Sequence, residues 1–147
     1  MKKIFLALAL SIGTISAMAQ EYRIITTVES IVPGGLGRSR LIDSREDVDY
    51  RRFTTSRESG KDSDQGKVDR SDAKIDNLEE TKLLNFYSMV GINFQNIASN
   101  DAIISSKLNA MTKEGWELAF VTSGVESDAG DKDGKGIFIT RYIFRRK

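Results

Sequence analysis

The chain reads as an α+β protein, a small antiparallel sheet of about four to five strands packed on one main amphipathic helix. Three observations predict it. Runs at residues 21–31 and 137–147 alternate in side-chain character with a period of two, as strands with distinct faces require, and 38–44 can return as a strand after a turn signal. The run that opens at Asn100 instead repeats its apolar residues at three- and four-residue spacing, the helical period. Gly115 then separates that helix from a second alternating run, so helix and strand fold back on each other at a glycine.

Residues 1–19 are set aside as an export signal. Lys2 and Lys3 form a basic start, Ile4 to Ile15 an apolar stretch, and Ala17-Met18-Ala19 satisfies the small-x-small cleavage rule, which predicts a mature chain from Gln20. The apolar stretch is too short to span a bilayer comfortably, and no stop-transfer pattern follows it, so no membrane span is expected after cleavage. No cysteine stands at the cleavage point to carry lipid. A periplasmic or secreted protein is the expectation, with 20–147 a single domain.

Composition narrows the chemistry. Removing residues 1–19 takes two lysines and no acids from 22 basic and 21 acidic residues, leaving 20 against 21. That near balance implies no nucleic-acid partner and no anionic-membrane partner. The chain has no cysteine and no histidine. Disulfides, Cys nucleophiles, Ser-His-Asp arrangements, histidine acid/base catalysis and Cys/His zinc sites are therefore excluded. Carboxylate, lysine and tyrosine chemistry remain. No catalytic, cofactor-binding or metal-ligating residue is assigned.

From Glu21 to Ile31 the residues are rich in β-branched types, with Tyr22, Ile24, Thr26 and Val28 on one face of a strand. Pro33-Gly34-Gly35 marks a turn, and Arg38 to Ser44 returns as a second strand with Leu41 and Ile42 near its middle. The run from Gly34 to Arg40 has the glycines of a phosphate loop and two arginines. It lacks the following Lys-Ser and the helix that such a loop needs, so a solvated hairpin turn is the better reading.

Residues 45–76 change character: of these 32 residues 17 are charged, eight positive and nine negative. So few apolar residues cannot offset the entropy of ordering, which predicts a flexible or loosely docked excursion, with Tyr50 and Phe53 pinning its first part to the body. Between Lys82 and Ile97 the pattern is ambiguous. Leu84, Phe86, Val90, Ile92 and Phe94 alternate with Asn85, Tyr87, Met89, Asn93 and Gln95, fitting a strand from Lys82 to Val90 with Gly91 a bulge or its end. Leu83, Tyr87, Val90, Phe94 and Ile97 also satisfy helical spacing, and the aromatic and asparagine content favours the strand.

Asn100 is read as the helix N-cap, with Asp101 at the positive end of the dipole. Ile104, Leu108 and Met111 recur at i, i+4 and i+7 as the buried stripe. Lys113 suits the last turn, Gly115 can take positive φ at C′, and Trp116 at C″ should contact Met111 at C3. In the strand that follows, Trp116, Leu118 and Phe120 point one way and Glu117, Ala119 and Val121 the other, with the aromatic face expected against the helix. Burying Met111, Leu118 and Phe120 would contribute roughly 1.5 to 3 kcal/mol each.

Ser123 to Gly136 is a turn-rich loop in which Asp128, Asp131 and Asp133 precede Gly134, part of a calcium-loop pattern without the twelfth-position glutamate or flanking helices. Ile137 to Lys147 is the closing strand, Ile137, Ile139 and Ile143 on one face and Phe138, Tyr142 and Phe144 on the other. Bulk on both faces predicts a place inside the sheet or cover on two sides. Arg145-Arg146-Lys147 reads as a solvated strand end that discourages edge pairing.

Residues 108–147 carry a signature: Leu108-Asn109, then Glu114-Gly115-Trp116-Glu117-Leu118 with Val121, a loop, and Tyr142 to Lys147 ending in aromatic and basic residues. This resembles the small bacterial domain of unknown function with the pattern LNxxxxEGWELVxV followed by a YxxKRK-like end. The resemblance covers about the last third of the chain, and the charged excursion and long acidic loop depart from that family's compact form. It implies a small α+β domain with an antiparallel sheet and one main helix, and it supplies no catalytic residues.

The functional expectation is a non-enzymatic module of the cell envelope that binds a protein or other envelope component, with the excursion as a candidate binding loop. The alternative is a small carboxylate-dependent hydrolase or binder of envelope polysaccharide. It would use two of Glu46, Asp47, Asp49, Asp128, Asp131 and Asp133 brought within about 10 Å in a cleft. A calcium-stabilised domain is a third possibility. Partner identity, oligomeric state and strand order stay open.

Overall fold

The computed structural model describes residues 20–31, 39–126 and 136–147. Residues 1–19, read from the sequence as an export signal, the expected turn at Pro33-Gly34-Gly35 and the acidic run with Asp128, Asp131 and Asp133 lie outside the described residues. Strands β1 (Glu21–Ser30) and β2 (Arg40–Ser44) are followed by short 3-10 turns at Tyr50–Phe53 and Asp64–Lys67, then by β3 (Leu78–Lys82). A small hairpin, β4 (Tyr87–Ser88) and β5 (Gly91–Ile92), precedes helix α1 (Phe94–Lys113), and β6 (Glu117–Val125) and β7 (Ile137–Arg146) complete the chain. The main sheet is antiparallel in the order β3-β2-β1-β7-β6, so the fold is α+β.

The centre of the sheet is the ten-residue pairing of β1 with β7, from Glu21 opposite Arg146 to Ser30 opposite Ile137. That register puts Ile25, Thr27, Tyr142 and Phe144 on one face and Ile24, Thr26, Ile139 and Ile143 on the other. α1 covers the first face. Ile25, Leu41, Leu83, Ile104, Met111, Trp116 and Phe144 form the core between helix and sheet, with Ile103, Leu108 and Tyr142 packed against it. β7 therefore lies inside the sheet. It is paired on both edges, so its basic end guards no open edge; Arg145 pairs with Glu117 at 2.8 Å and Arg146 with Glu21 at 2.7 Å.

The helix ends as its sequence predicts. Gly115 takes φ +86°, its N–H donates to the Thr112 carbonyl at 3.0 Å, and the Trp116 N–H donates to the Met111 carbonyl at 3.0 Å. These are the two bonds of a Schellman cap, and they set Trp116 over Met111 in the core.

The helix starts elsewhere than expected. Asn93, not Asn100, is the N-cap: its backbone is extended and its side chain accepts from the Asn96 N–H at 3.1 Å. Asn100 sits seven residues further on, on the buried stripe four residues before Ile104, and is itself buried. Its Oδ1 accepts from the Leu84 N–H at 2.8 Å, and its Nδ2 donates to the Leu84 carbonyl at 2.7 Å and to Glu29 Oε1 at 2.9 Å. The side chain that could cap a helix instead satisfies the backbone of the connection crossing it.

The strand expected from Lys82 to Val90 is also corrected. Pairing with β2 stops at Lys82, because Leu83 turns into the core and Asn85 is buried against Ser39, whose hydroxyl donates to Asn85 Oδ1 at 2.8 Å. The next residues form the two-residue strands of the β4–β5 hairpin, with Gly91 at φ +118°.

Leu118 and Phe120 do not both face the helix. The β6–β7 register shifts by one between them, so Ala119 is the extra residue of a bulge; Leu118 opposes Phe144 on the helix face and Phe120 opposes Ile143 on the other. Leu118 is 41 % exposed and Phe120 68 % exposed, so the expected burial of both is lost. β6 is the sheet's edge; α1 meets it past the Gly115 turn and is tied also to β1 and β2, through Asn100 to Glu29 and Lys107 to Asp43.

The excursion contributes no buried residue to the body in either 3-10 turn. Tyr50 is exposed, under the Arg51 guanidinium, and pins nothing. What closes the excursion is its base: the Arg45 N–H donates to the Asn77 carbonyl at 3.1 Å, and Glu46 Oε2 accepts from the Asp76 and Asn77 N–H groups at 3.3 and 3.4 Å.

Candidate functional site

The start of β1, the end of β2, the end of β7 and the helix C-terminus meet at one end of the sheet, and the Schellman cap delivers Trp116 there. Two guanidinium groups face its ring, Arg146 at 4.4 Å and Arg23 at 5.9 Å from the centroid. A cleft of about 410 Å³ opens beside them, lined among others by Tyr22, Arg45, Glu46, Asp47 and Glu114.

Behind this cleft lies a fully buried carboxylate. Asp43 on β2 accepts from Arg23 Nε at 3.1 Å and Nη2 at 2.8 Å on β1, and from Lys107 Nζ at 2.6 Å on α1. Arg45 stands 3.5 Å away and pairs with Glu79 at 2.6 Å. Burial works to raise the Asp43 pKa, but the hydrogen bonds and charges of Lys107 and Arg23 outweigh it and hold the carboxyl below the usual aspartate range. Arg23, Arg45, Lys107 and Arg146 each hold a carboxylate of this chain; the Lys107–Asp43 pair clamps the helix to the sheet, and the others tie strand to strand.

The carboxylates singled out in the sequence are only partly brought together. Glu46 and Asp47 line the same cleft, but Glu46 is engaged by the Asp76 and Asn77 backbone, and Asp49 caps the first 3-10 turn by accepting from the Arg51 N–H at 3.0 Å. Asp128, Asp131 and Asp133 lie outside the described residues. Asp43, Asp69, Glu79 and Glu117 all have lowered pKa values, the opposite of what a general acid needs at neutral pH. The phenol of Tyr142 is shifted upward chiefly by burial, opposed by the nearby Thr27 hydroxyl, so it stays protonated. Among the described residues no group of three or more acidic residues is placed to hold a metal ion. Nor is any helix long and apolar enough to cross a membrane.

The second feature is the outer edge of β6. The Glu126 N–H donates to the Ile137 carbonyl at 2.9 Å, which fixes the phase of the ladder: Phe120, Thr122 and Gly124 turn their backbone groups toward β7, and Val121, Ser123 and Val125 turn theirs outward. Among the described residues no strand pairs with that outer edge. No charged residue occurs from Leu118 to Val125, and Phe120, Val121 and Val125 are exposed. Beside them the face of the sheet turned away from α1 carries Tyr22, Ile24 and Phe120, all exposed. The opposite edge, β3, is five residues long and bears Glu79, Glu80 and Lys82, the usual protection against strand addition.

Sequence reasoning missed this edge because it buried Phe120. The signal available was the absence of charge over eight residues in a chain that is 29 % charged. No family model, curated protein or solved structure matches the chain.

Proposed function

We propose that the chain is an exported, non-enzymatic interaction module of the cell envelope that binds an extended segment of an envelope protein along the outer edge of β6. The observation that carries this reading is the unpaired, uncharged edge with backbone groups of Val121, Ser123 and Val125 directed outward. An added strand would find donors and acceptors there and alternate apolar contacts beside them, the chemistry of β-strand addition. Export rests on the residues at 1–19, and the absence of histidine and cysteine argues against catalysis. Membership in the domain family that residues 108–147 resemble is part of the same proposal, supported by the capped helix that passes through Gly115 and Trp116 into β6.

Crosslinking capture in an envelope fraction tests it. The wild-type chain should recover one dominant protein partner, and Ser123→Pro should lose it, because proline removes an outward N–H without touching the ladder to β7. Val121→Lys serves as a second block that spares the backbone. Recovery of the same partner by both variants would reject the edge as the binding surface.

A second reading, a small carboxylate-dependent hydrolase or binder of envelope polysaccharide, draws on Glu46 and Asp47 lining the cleft with Tyr22. A polysaccharide-dependent rise in melting temperature that Glu46→Gln and Asp47→Asn abolish would move the function to that cleft.

A further inference from the structure

The β4–β5 hairpin carries an apolar tip that folding does not require. Its two turn residues are Met89 and Val90, 82 % and 97 % exposed, in a position where two-residue hairpins favour Asn-Gly or Asp-Gly. Neither takes a positive φ, so the primed-turn geometry is not what selects them. Ile92 and Tyr87, a cross-strand pair, are exposed beneath them, and Phe94 beside them is 77 % exposed. In this heavily charged chain the whole run from Leu83 to Asn100 carries no charge.

The base of the hairpin is fixed. Phe86 packs edge-on against Phe138 of β7 at 5.4 Å, the Asn93 N–H donates to the Phe86 carbonyl at 2.7 Å, and Asn96 Nδ2 donates to the Asn85 carbonyl at 2.7 Å. The tip is therefore held out rather than left loose. Its polar backbone is partly capped from within: the Val90 N–H donates to Ser88 Oγ at 3.4 Å, and the Ser88 hydroxyl donates to the Gly91 carbonyl at 3.1 Å.

We propose that this hairpin is a lipid-contact tip, with Met89 and Val90 entering the acyl boundary of a bilayer and Tyr87, Ile92 and Phe94 lying at the headgroup level. Four observations select a bilayer over a protein pocket. The apolar residues sit on a convex apex, which a deformable medium can surround. The run from Leu83 to Asn100 has no charge to desolvate and none to pair with a partner. Internal capping by Ser88 reduces the penalty that unsatisfied backbone groups meet in an apolar medium. Tyr87 flanks the apex as amphipathic aromatic anchors do at membrane interfaces. Contact of this kind is peripheral and depends on apolar insertion rather than on anionic lipid. It rests on the proposed export to the extent that the envelope supplies the bilayer.

The test is co-sedimentation of the chain recovered from the envelope with vesicles of phosphatidylcholine, and of phosphatidylcholine with phosphatidylglycerol, at low and high salt. Binding to both is expected, changing less than about twofold with salt because no counterion release is involved. Met89→Ser with Val90→Ser should reduce the partition at least about tenfold, with an unchanged melting temperature because both side chains are exposed. The chain has no cysteine, so a polarity-sensitive dye on Val90→Cys reports the tip alone; its emission should move to the blue on vesicles, while the same dye on Lys61→Cys stays unchanged. Absence of binding to neutral vesicles, equal binding by the double variant, or binding confined to anionic vesicles at low salt would overturn the proposal. Intact mass of the recovered chain reports separately whether residues 1–19 were removed, and wild type and variants share that region, so a failed export reading is distinguishable from a failed tip.

Discussion

At Asp43 one buried carboxylate ties three elements together, and its removal should be costly. Asp43→Ala would leave Arg23 and Lys107, both mostly buried, without the charge they were folded around, and a loss of about 3 kcal/mol is expected in urea unfolding. The pH dependence follows from the direction of its shift. The folded-state pKa lies below the ordinary 3.8, so as pH falls the unfolded chain takes up the proton first. The stabilisation is complete above that ordinary value and is lost as pH drops through the folded one. Stability measured between about pH 5 and pH 2 should therefore fall in wild type and fall less steeply in Asp43→Asn. Asn100→Ala strands the Leu84 N–H and carbonyl, and about 2 to 4 kcal/mol should be lost.

At the scale of elements, what local chemistry decides was legible, and what pairing decides was not. The helix end could be read because Gly115 and Trp116 act within one turn of each other. Gly115→Ala should destabilise by about 1 kcal/mol, all of it from the left-handed backbone, since an added Cβ would meet only Arg146 Cδ at 4.0 Å. The helix start could not be read, because Asn93 and Asn100 are equally competent caps and only the crossing of Leu84 over the helix assigns Asn100 elsewhere. Asn93→Ala, at the real cap, should cost about 1 kcal/mol in thermal unfolding. β6 shows the same division: its alternation was visible, but the bulge at Ala119 and the edge position are set by β7, and together they turned Phe120 from core to surface.

For the whole molecule, one helix against a five-stranded antiparallel sheet leaves the other face and one long edge without cover among the described residues. The α+β class followed from periodicity, whereas the order β3-β2-β1-β7-β6, and with it the choice of exposed edge, is a long-range outcome that no local run encodes. The candidate carboxylates were visible as charge but not as geometry, since the structure uses Glu46 and Asp49 to hold turns and strands rather than a reacting centre. On the proposed reading the outer edge of β6 is open for strand addition. Residue-resolved amide hydrogen exchange of the isolated chain tests it most directly. Fast exchange is expected at Val121, Ser123 and Val125, alternating with protection at Phe120, Thr122 and Gly124. Protection at all six amides would show that the edge is already occupied and would contradict it.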